Sequence, residues 1–185
     1  MVKRAFDLTA ALILSVLLAV PAAILMLLIR LDSPGPAIFR QERLGKNGKP
    51  FMILKLRSMR LDAEKNGPRW AERNDSRCTR LGSFLRRSRL DELPQLWNIL
   101  HGEMSFVGRR PERAYFYDQF EKTIPGFRNR LAVIPGLTGL AQVNGGYDLS
   151  PDQKIVFDMK YIENCCVGMD LSCMLKTVRL VFTHE

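Results

Sequence analysis

Residues 8–29 read LTAALILSVLLAVPAAILMLLI, a run of 22 residues without a charged side chain. A helix of about 20 apolar residues spans the hydrocarbon core of a bilayer, so this segment is long enough to enter a membrane. A cleavable signal peptide would have a shorter apolar region and a small-residue cleavage site. Here the run continues into Arg30 and Asp32. The segment therefore predicts a membrane anchor that stays in the protein.

Two features bear on how this anchor meets the membrane. Pro21 lies in the middle of the run, where it removes a backbone donor and bends the helix. Basic residues flank both ends, and the positive-inside tendency favours both flanks in the cytoplasm. They are Lys3, Arg4, Arg30, Arg40, Arg43, Lys46 and Lys49. A bent helix that enters and leaves on the same face satisfies both features, and a single-pass anchor with a tolerated proline is the alternative. These residues alone favour neither.

The rest of the chain predicts a small domain. The breaker cluster at residues 33–36 marks the exit from the membrane, so residues 1–33 form the anchor and residues 34–185 form a cytoplasmic catalytic domain. Residues 37–41 and 50–56 read as strands joined by a glycine turn at 45–48. The predicted fold is α+β: a proline-broken N-terminal membrane helix plus a mostly helical domain with a short β-sheet.

Further along the chain, helical spacing recurs. A helix is expected to start near Asp91, because Pro94 is tolerated only in a first turn. Residues 115–121 predict a short helix, residues 134–139 a turn, and residues 61–75 a mobile loop that carries Trp70. A C-terminal apolar stripe has helical spacing; we expect it to pack against the core of the domain, and contact with a membrane surface is the alternative. Its members are Leu171, Met174, Leu175, Val178 and Val181.

The chain of 185 residues carries 28 lysines and arginines against 19 acids, a formal net charge of +9. Such a balance favours anionic partners: nucleic acid, anionic lipid or phosphorylated substrates. The length suits one domain with a modest core. The four cysteines and two histidines lack zinc-site spacing. We therefore expect reduced thiols, with neither a zinc site nor a disulfide scaffold.

The most informative stretch for chemistry is residues 86–95, RRSRLDELPQ. It ends an arginine-rich segment that contains no acid after Asp75, and it places Asp91 beside Glu92. Nearby arginines, backbone N–H donors and the helix dipole would all favour the ionised form of Asp91. An ionised carboxylate is a competent nucleophile, and the same surroundings attract a diphosphate.

Helix capping is the alternative interpretation of this acid pair, because Asp and Glu are common in first turns. The arginines and the upstream anchor weigh against it. A second cationic group, Arg109-Arg110-Pro111, suits phosphate because a guanidinium binds two oxygens at once, although a solvated basic face would look the same. In the second predicted strand, Lys55 shares a face with Ile53, and a lysine there invites a charged partner.

A series of short motifs, each weak alone, is specific in this order. Besides the proline-broken helix, they are residues 35–41 (GPAIFRQ), 55–59 (KLRSM), 91–95 (DELPQ), 102–108 (GEMSFVG) and 135–145 (PGLTGLAQVNG), then Asp158 with Tyr161. By these motifs the chain resembles, over nearly its whole length, the monotopic polyprenol-phosphate phosphoglycosyl transferases, also called the bacterial sugar transferase family.

The resemblance implies an enzyme that moves a sugar phosphate from a UDP-sugar to polyprenol (undecaprenyl) phosphate and releases UMP, the first step of bacterial polysaccharide or glycoconjugate assembly. Asp91 would form a covalent phosphosugar intermediate with the help of Glu92, and polyprenol phosphate would then attack it in a ping-pong cycle. Mg²⁺ held partly by Asp91 would neutralise the diphosphate. The substrate-binding positions that match are Lys55, Arg86, Arg110 and Asp158.

The resemblance also implies a re-entrant anchor in the bacterial inner membrane, in contact with its lipids, with the active site at the cytoplasmic face and no nucleic-acid partner. It leaves open whether the donor is UDP-galactose, UDP-glucose or an N-acetylated UDP-sugar. Three departures from the family pattern stand out. Arg109 replaces a proline, Ile134 replaces a basic residue before Pro-Gly, and Leu56 and Ser58 replace Phe and Thr.

Two other functions fit parts of the sequence. A basic, membrane-anchored module could bind nucleic acid or anionic lipid without catalysis, with strongly salt-dependent affinity. It gives no reason for Asp91 and Glu92 to lie within the basic region. A direct glycosyl transferase would use one carboxylate as a general base and would release UDP instead of UMP.

Overall fold

A computed structural model describes residues 2–65, 67–70, 75–146 and 148–183. Within them helices dominate and the strands form two separate pairs, which confirms the α+β class. The helices are α1 (Val2–Leu17), α2 (Ala19–Asp32), α3 (Arg80–Arg87), α4 (Gln95–Leu100), α5 (Ala114–Thr123), α6 (Leu140–Val143), α7 (Pro151–Asn164) and α8 (Val167–Thr183). The strands are β1 (Ile38–Leu44), β2 (Pro50–Leu56), β3 (Ser105–Val107) and β4 (Gly136–Thr138). Residues 66 and 71–74 of the predicted loop lie outside the described residues.

Helices α1 and α2 form one apolar segment that bends by 60° around Leu18. Pro21 lies in the first turn of α2. Because proline has no N–H, the carbonyl of Leu17 loses the donor that a continuous helix would supply. The predicted bend is confirmed. Among the described residues no single helix is long and apolar enough to cross a membrane, whereas the bent pair passes that test by length and composition.

Strands β1 and β2 form the predicted antiparallel hairpin, with Gln41 opposite Ile53. Phe51 and Ile53 turn inward and pack on α4 and α1. Asn98 of α4 fixes this packing, because its side-chain oxygen accepts from the backbone N–H of Leu54 at 3.1 Å. The side-chain amide of Asn98 donates to the carbonyl of Met52 at 2.8 Å. The hairpin and the helix that follows the acid pair therefore hold a fixed relative position.

The prediction of a plain turn at residues 134–139 is wrong. Residues 136–138 form β4, which runs parallel to β3 with Ser105 opposite Gly136 and Val107 opposite Thr138. A Cβ atom at Gly136 would lie 2.1 Å from the backbone nitrogen of Gly108. The close backbone approach thus requires glycine at this crossing, and it fixes the path of the arginine pair that follows β3.

The C-terminal stripe packs only in part as predicted, because Met174 packs against the buried cluster of Val107, Tyr161 and Cys173 whereas three other members are exposed. Leu171, Leu175 and Val178 are 48%, 72% and 56% exposed. The inward face of α8 instead carries Cys173, which is buried, and Thr177, whose hydroxyl bonds to that of Thr138 on β4. Cysteine and threonine are not strongly apolar, so the packed face of α8 did not appear as a hydrophobic stripe in the sequence. The spacing of apolar residues identified the more exposed face instead.

Candidate active site

Asp91 and Glu92 lie in one 3₁₀ turn, Leu90–Glu92, between α3 and α4. The predicted helix start is therefore displaced, since α4 begins only at Gln95. Both carboxyl groups are buried, each residue being 6% exposed. The turn is entered through Arg89, whose φ of 60° lies in the left-handed region. A side chain held in that region costs energy and commonly marks a functional site.

Two cations converge on Glu92. The ammonium of Lys55 donates to Oε1 of Glu92 at 3.2 Å, and the guanidinium of Arg110 donates to the same oxygen at 2.8 Å. The charged partner that the sequence led us to expect for Lys55 is therefore Glu92. Burial alone would raise the pKa of Glu92, but Arg110 and Lys55 outweigh it and hold that pKa well below its usual range. Glu92 is therefore ionised, and its bonds to Lys55 and Arg110 hold its side chain in one position.

Asp91 has the opposite electrostatic balance. Burial and the neighbouring Glu92 raise the pKa of Asp91, Lys55, Arg110 and Arg86 offset part of that rise, and together these effects bring the pKa to about 6. Arg110 and Arg86 favour the ionised form of Asp91, as the sequence predicted, but burial and Glu92 outweigh them. Lys55 and Arg110 each donate a hydrogen bond to Glu92, and Asp91 is not at the N-terminus of an α-helix. Asp91 is a poorly solvated carboxylate beside a charged cluster.

Asp91 lines a cavity of about 390 Å³, here called the polar cavity. Among the described residues twelve basic side chains line it, against three acidic ones. Of the predicted substrate-binding residues, Lys55, Arg86 and Arg110 share it with Asp91. The remaining basic residues are Arg43, Arg57, Arg60, Arg69, Arg77, Arg89, Arg113, Arg130 and Lys154. Such a surface attracts a ligand with several negative charges.

Sequence reasoning missed polar side chains that line the same cavity. The Nε2 atom of Gln95 and one terminal nitrogen of Arg130 are buried and have no hydrogen-bond partner within the described part of the chain. Buried donors without a partner are costly, and a ligand that accepts hydrogen bonds would remove the cost. Gln95 belongs to the quoted DELPQ motif, which gave a usable signal, whereas Arg130 had none.

Asp158 lies outside the lining of the polar cavity. Its Oδ2 atom accepts from Nε of Arg130 at 2.6 Å, and each of these side chains is 2% exposed. Asp158 therefore holds Arg130, which does line the cavity. Its assignment to substrate binding stays a prediction, and the observed contact is that of a positioning residue.

The departure at Arg109 has a structural account. Its side chain is buried and donates to the carbonyls of Leu44 and Gly45 at 3.0 Å each, which ties the end of β1 to the loop after β3. Arg110, the next residue, points to Glu92. The two arginines thus have different tasks, one inside the domain and one at the acid pair. Ile134, the second departure, cannot supply the positive charge that a basic residue would offer to a phosphate at that position.

Among the described residues, Asp91 is the candidate carboxylate for a metal. No cluster of three or more His, Cys, Asp or Glu side chains gathers within the described residues. Glu92 already carries two cations, which leaves Asp91 facing the polar cavity. Mg²⁺ commonly takes one or two protein carboxylates and completes its shell with phosphate oxygens and water. The site therefore fits a magnesium ion that arrives with a diphosphate.

Comparison with known proteins places this chain in a family. The family model described as bacterial sugar transferase matches residues 1–184. The UDP-N-acetylgalactosamine-undecaprenyl-phosphate N-acetylgalactosaminephosphotransferase of Aeromonas hydrophila is 42% identical over 98% of this chain and 44% of its own length. The UDP-glucose:undecaprenyl-phosphate glucose-1-phosphate transferase of Caulobacter vibrioides is 43% identical over 99% of this chain and 70% of its own.

A third relative is nearer to the present chain in length. The exopolysaccharide production protein PSS of Rhizobium leguminosarum bv. phaseoli is 41% identical over 95% of this chain and 92% of its own length. The chain thus spans less than half of the Aeromonas relative and nearly all of the Rhizobium one. Because the family model covers all but the last residue, the chain belongs to the bacterial sugar transferase family.

Proposed function

We propose that the chain transfers a sugar 1-phosphate from a UDP-sugar to undecaprenyl phosphate and releases UMP. The observation that carries the proposal is the pairing at the 3₁₀ turn. Glu92 forms ion pairs with Lys55 and Arg110, while its neighbour Asp91 lines a cavity together with Arg86 and other basic side chains. The names of the Aeromonas and Caulobacter relatives state this type of transfer for UDP-N-acetylgalactosamine and UDP-glucose.

The proposed reaction has two steps at one phosphorus atom. A carboxylate oxygen of Asp91 attacks the sugar-bearing phosphorus, the bond to the bridging oxygen between the phosphates breaks, and UMP leaves. An oxygen of undecaprenyl phosphate then attacks the same phosphorus and frees Asp91. Poor solvation makes the Asp91 carboxylate reactive, and Arg86 and Arg110 stabilise the charge on the phosphate oxygens. Glu92 holds Lys55 and Arg110 in place.

Magnesium is proposed as the cofactor, with Asp91 as its protein ligand. When bound, the ion would neutralise the diphosphate of the donor. We expect EDTA to abolish turnover and added Mg²⁺ to restore it. Full activity of the EDTA-treated enzyme would remove the metal from the account while leaving the role of Asp91 intact.

We also propose that α1 and α2 form a re-entrant anchor in the inner membrane, with the site at the cytoplasmic face. At the start of α1, Arg4 donates to the carbonyls of Ile99 and Leu100. At the end of α2, Arg57 donates to the carbonyls of Ser33 and Pro34. Both ends of the bent pair are therefore bound to the same domain, as expected if both lie on one side of the membrane.

The test uses a UDP-sugar labelled in the sugar. With acceptor present, we expect labelled lipid and UMP, and without acceptor we expect label held on the protein. Release of UDP would instead support direct glycosyl transfer. Salt-sensitive binding with no product would support the non-catalytic module. A panel of UDP-sugars in the same assay identifies the donor.

A further inference from the structure

A second cavity, of about 490 Å³, has Glu92 in its lining. Helices α1 and α8 supply much of its wall, through Phe6, Leu14, Met174 and Val178 among others. We call it the apolar cavity. Phe6 is 46% exposed and Val178 is 56% exposed, so the rim of the cavity opens onto the apolar outer faces of both helices.

The two cavities meet at the reaction centre. Asp91 lines the polar cavity and Glu92 lines the apolar one. Arg86, Arg89 and Gln142 line both. The apolar cavity is therefore not a detached crevice, because it shares side chains with the site proposed above.

The apolar cavity also carries strong positive charge in one place. Arg86, Arg87 and Arg89, from a single short segment, line it together with the mostly apolar side chains of α1 and α8. A ligand that matches this arrangement has one phosphate head and a long hydrocarbon chain. The guanidinium groups suit the phosphate oxygens, and the apolar walls suit the chain.

We propose that the apolar cavity is a separate acceptor site, which holds the phosphate and the first isoprene units of the polyprenol phosphate while the nucleotide sugar occupies the polar cavity. The inference rests on the proposed function. It adds that the UDP-sugar and the polyprenol phosphate bind at different places, so that neither displaces the other. After UMP forms, the acceptor phosphate attacks the phosphorus on Asp91 from the side of Glu92, and the bond between that phosphorus and the Asp91 oxygen breaks.

Two separate sites have a kinetic signature. UMP would compete with the UDP-sugar, because both use the polar cavity, and would inhibit noncompetitively against polyprenol phosphate. If one site serves both substrates in turn, UMP competes with polyprenol phosphate instead, which would overturn the proposal. Exchange of labelled UMP into UDP-sugar without acceptor reports the first step alone. Absence of exchange would contradict the proposed function itself.

A matched pair of variants tests the location of the site. Val178→Asp places a charge in the apolar cavity, whereas Leu175→Asp places the same charge on the exposed face of α8, outside that cavity. We expect Val178→Asp to raise the KM for polyprenol phosphate at least tenfold more than Leu175→Asp does, with no matching rise in the KM for UDP-sugar in the exchange assay. Equal effects of the two variants would mean that ordinary membrane phospholipid covers this surface, and the proposal would fail.

Discussion

At the scale of single residues, two adjacent carboxyl groups have opposite surroundings. Lys55 and Arg110 both bond to Glu92, and burial dominates at Asp91. The division assigns different work to each acid. In the proposed reaction, Glu92 holds two cations in place for the substrate and Asp91 is the side chain that reacts.

Asp91→Asn tests the cost of burying this carboxylate. Burial is the largest of the effects that together raise the pKa of Asp91 from 3.8 to about 6, and one pKa unit corresponds to about 1.4 kcal/mol. In EDTA at pH 7.5 we expect the variant to be more stable than wild type by up to about 3 kcal/mol. As the pH falls from 6 towards 4, Asp91 is protonated in the folded wild-type protein but still ionised in the unfolded one. The difference in stability between wild type and variant therefore shrinks over this range. Thermal unfolding of both proteins at pH 7.5 and at pH 4 measures this difference. An Asn variant of equal or lower stability than wild type at pH 7.5 would contradict the expectation.

Glu92→Gln leaves Lys55 and Arg110 side by side without their shared partner. We expect turnover to fall at least 100-fold and the free energy of unfolding to fall by about 3 kcal/mol, as for a broken buried ion pair. Asp118→Asn is the control, because its pair with Arg128 is exposed and contributes little. If both variants behaved like wild type in UMP release and chemical unfolding, Glu92 would have no role in positioning.

At the scale of elements, the turn that carries the acids begins with a conformational cost. Arg89 occupies the left-handed region where helices usually end on glycine. We expect Arg89→Gly to raise the free energy of unfolding by about 1 kcal/mol while lowering kcat/KM, since Arg89 lines both cavities. Arg87→Gly, within α3, should lower stability by about 1 kcal/mol. The same sign for both variants in urea unfolding would show that strain at Arg89 is absent.

Elements that follow from a local sequence pattern could be predicted, whereas those that depend on contacts between distant segments could not. The hairpin followed from strand alternation around a glycine turn, and α5 from helical spacing. The pairing of β3 with β4 joins segments about 30 residues apart, too short to show alternation. The acid pair could be identified in the sequence. Which of the two acids forms ion pairs with Lys55 and Arg110 depends on tertiary packing and could not be predicted.

At the scale of the whole molecule, the bent pair α1–α2 is fastened at both ends. Arg4 binds the end of α4, and Arg57 binds the end of α2. Lys3 adds an ion pair with Asp170 of α8 at 2.6 Å. Two basic residues before the apolar run therefore bind the domain, and an arginine of the domain binds the end of α2, which agrees with a same-side entry and exit.

Cysteine labelling tests this topology. Val2 is exposed at the start of α1, and Cys165 is exposed on the domain. In intact spheroplasts we expect a cysteine at position 2 (Val2→Cys) and native Cys165 both to resist a membrane-impermeant maleimide, and both to react once the membrane is broken. Labelling of position 2 alone in intact spheroplasts would indicate a single-pass anchor.

The central claim, that Asp91 becomes covalently bonded to phosphorus, is tested most directly by mass spectrometry of the full chain quenched after mixing with UDP-sugar and Mg²⁺ but no acceptor. We expect an added mass of one sugar phosphate that maps to the peptide containing Asp91, that disappears when undecaprenyl phosphate is added before quenching, and that is absent from Asp91→Asn. UMP release from an enzyme that never carries this mass, or an adduct that persists in Asp91→Asn, would contradict the account.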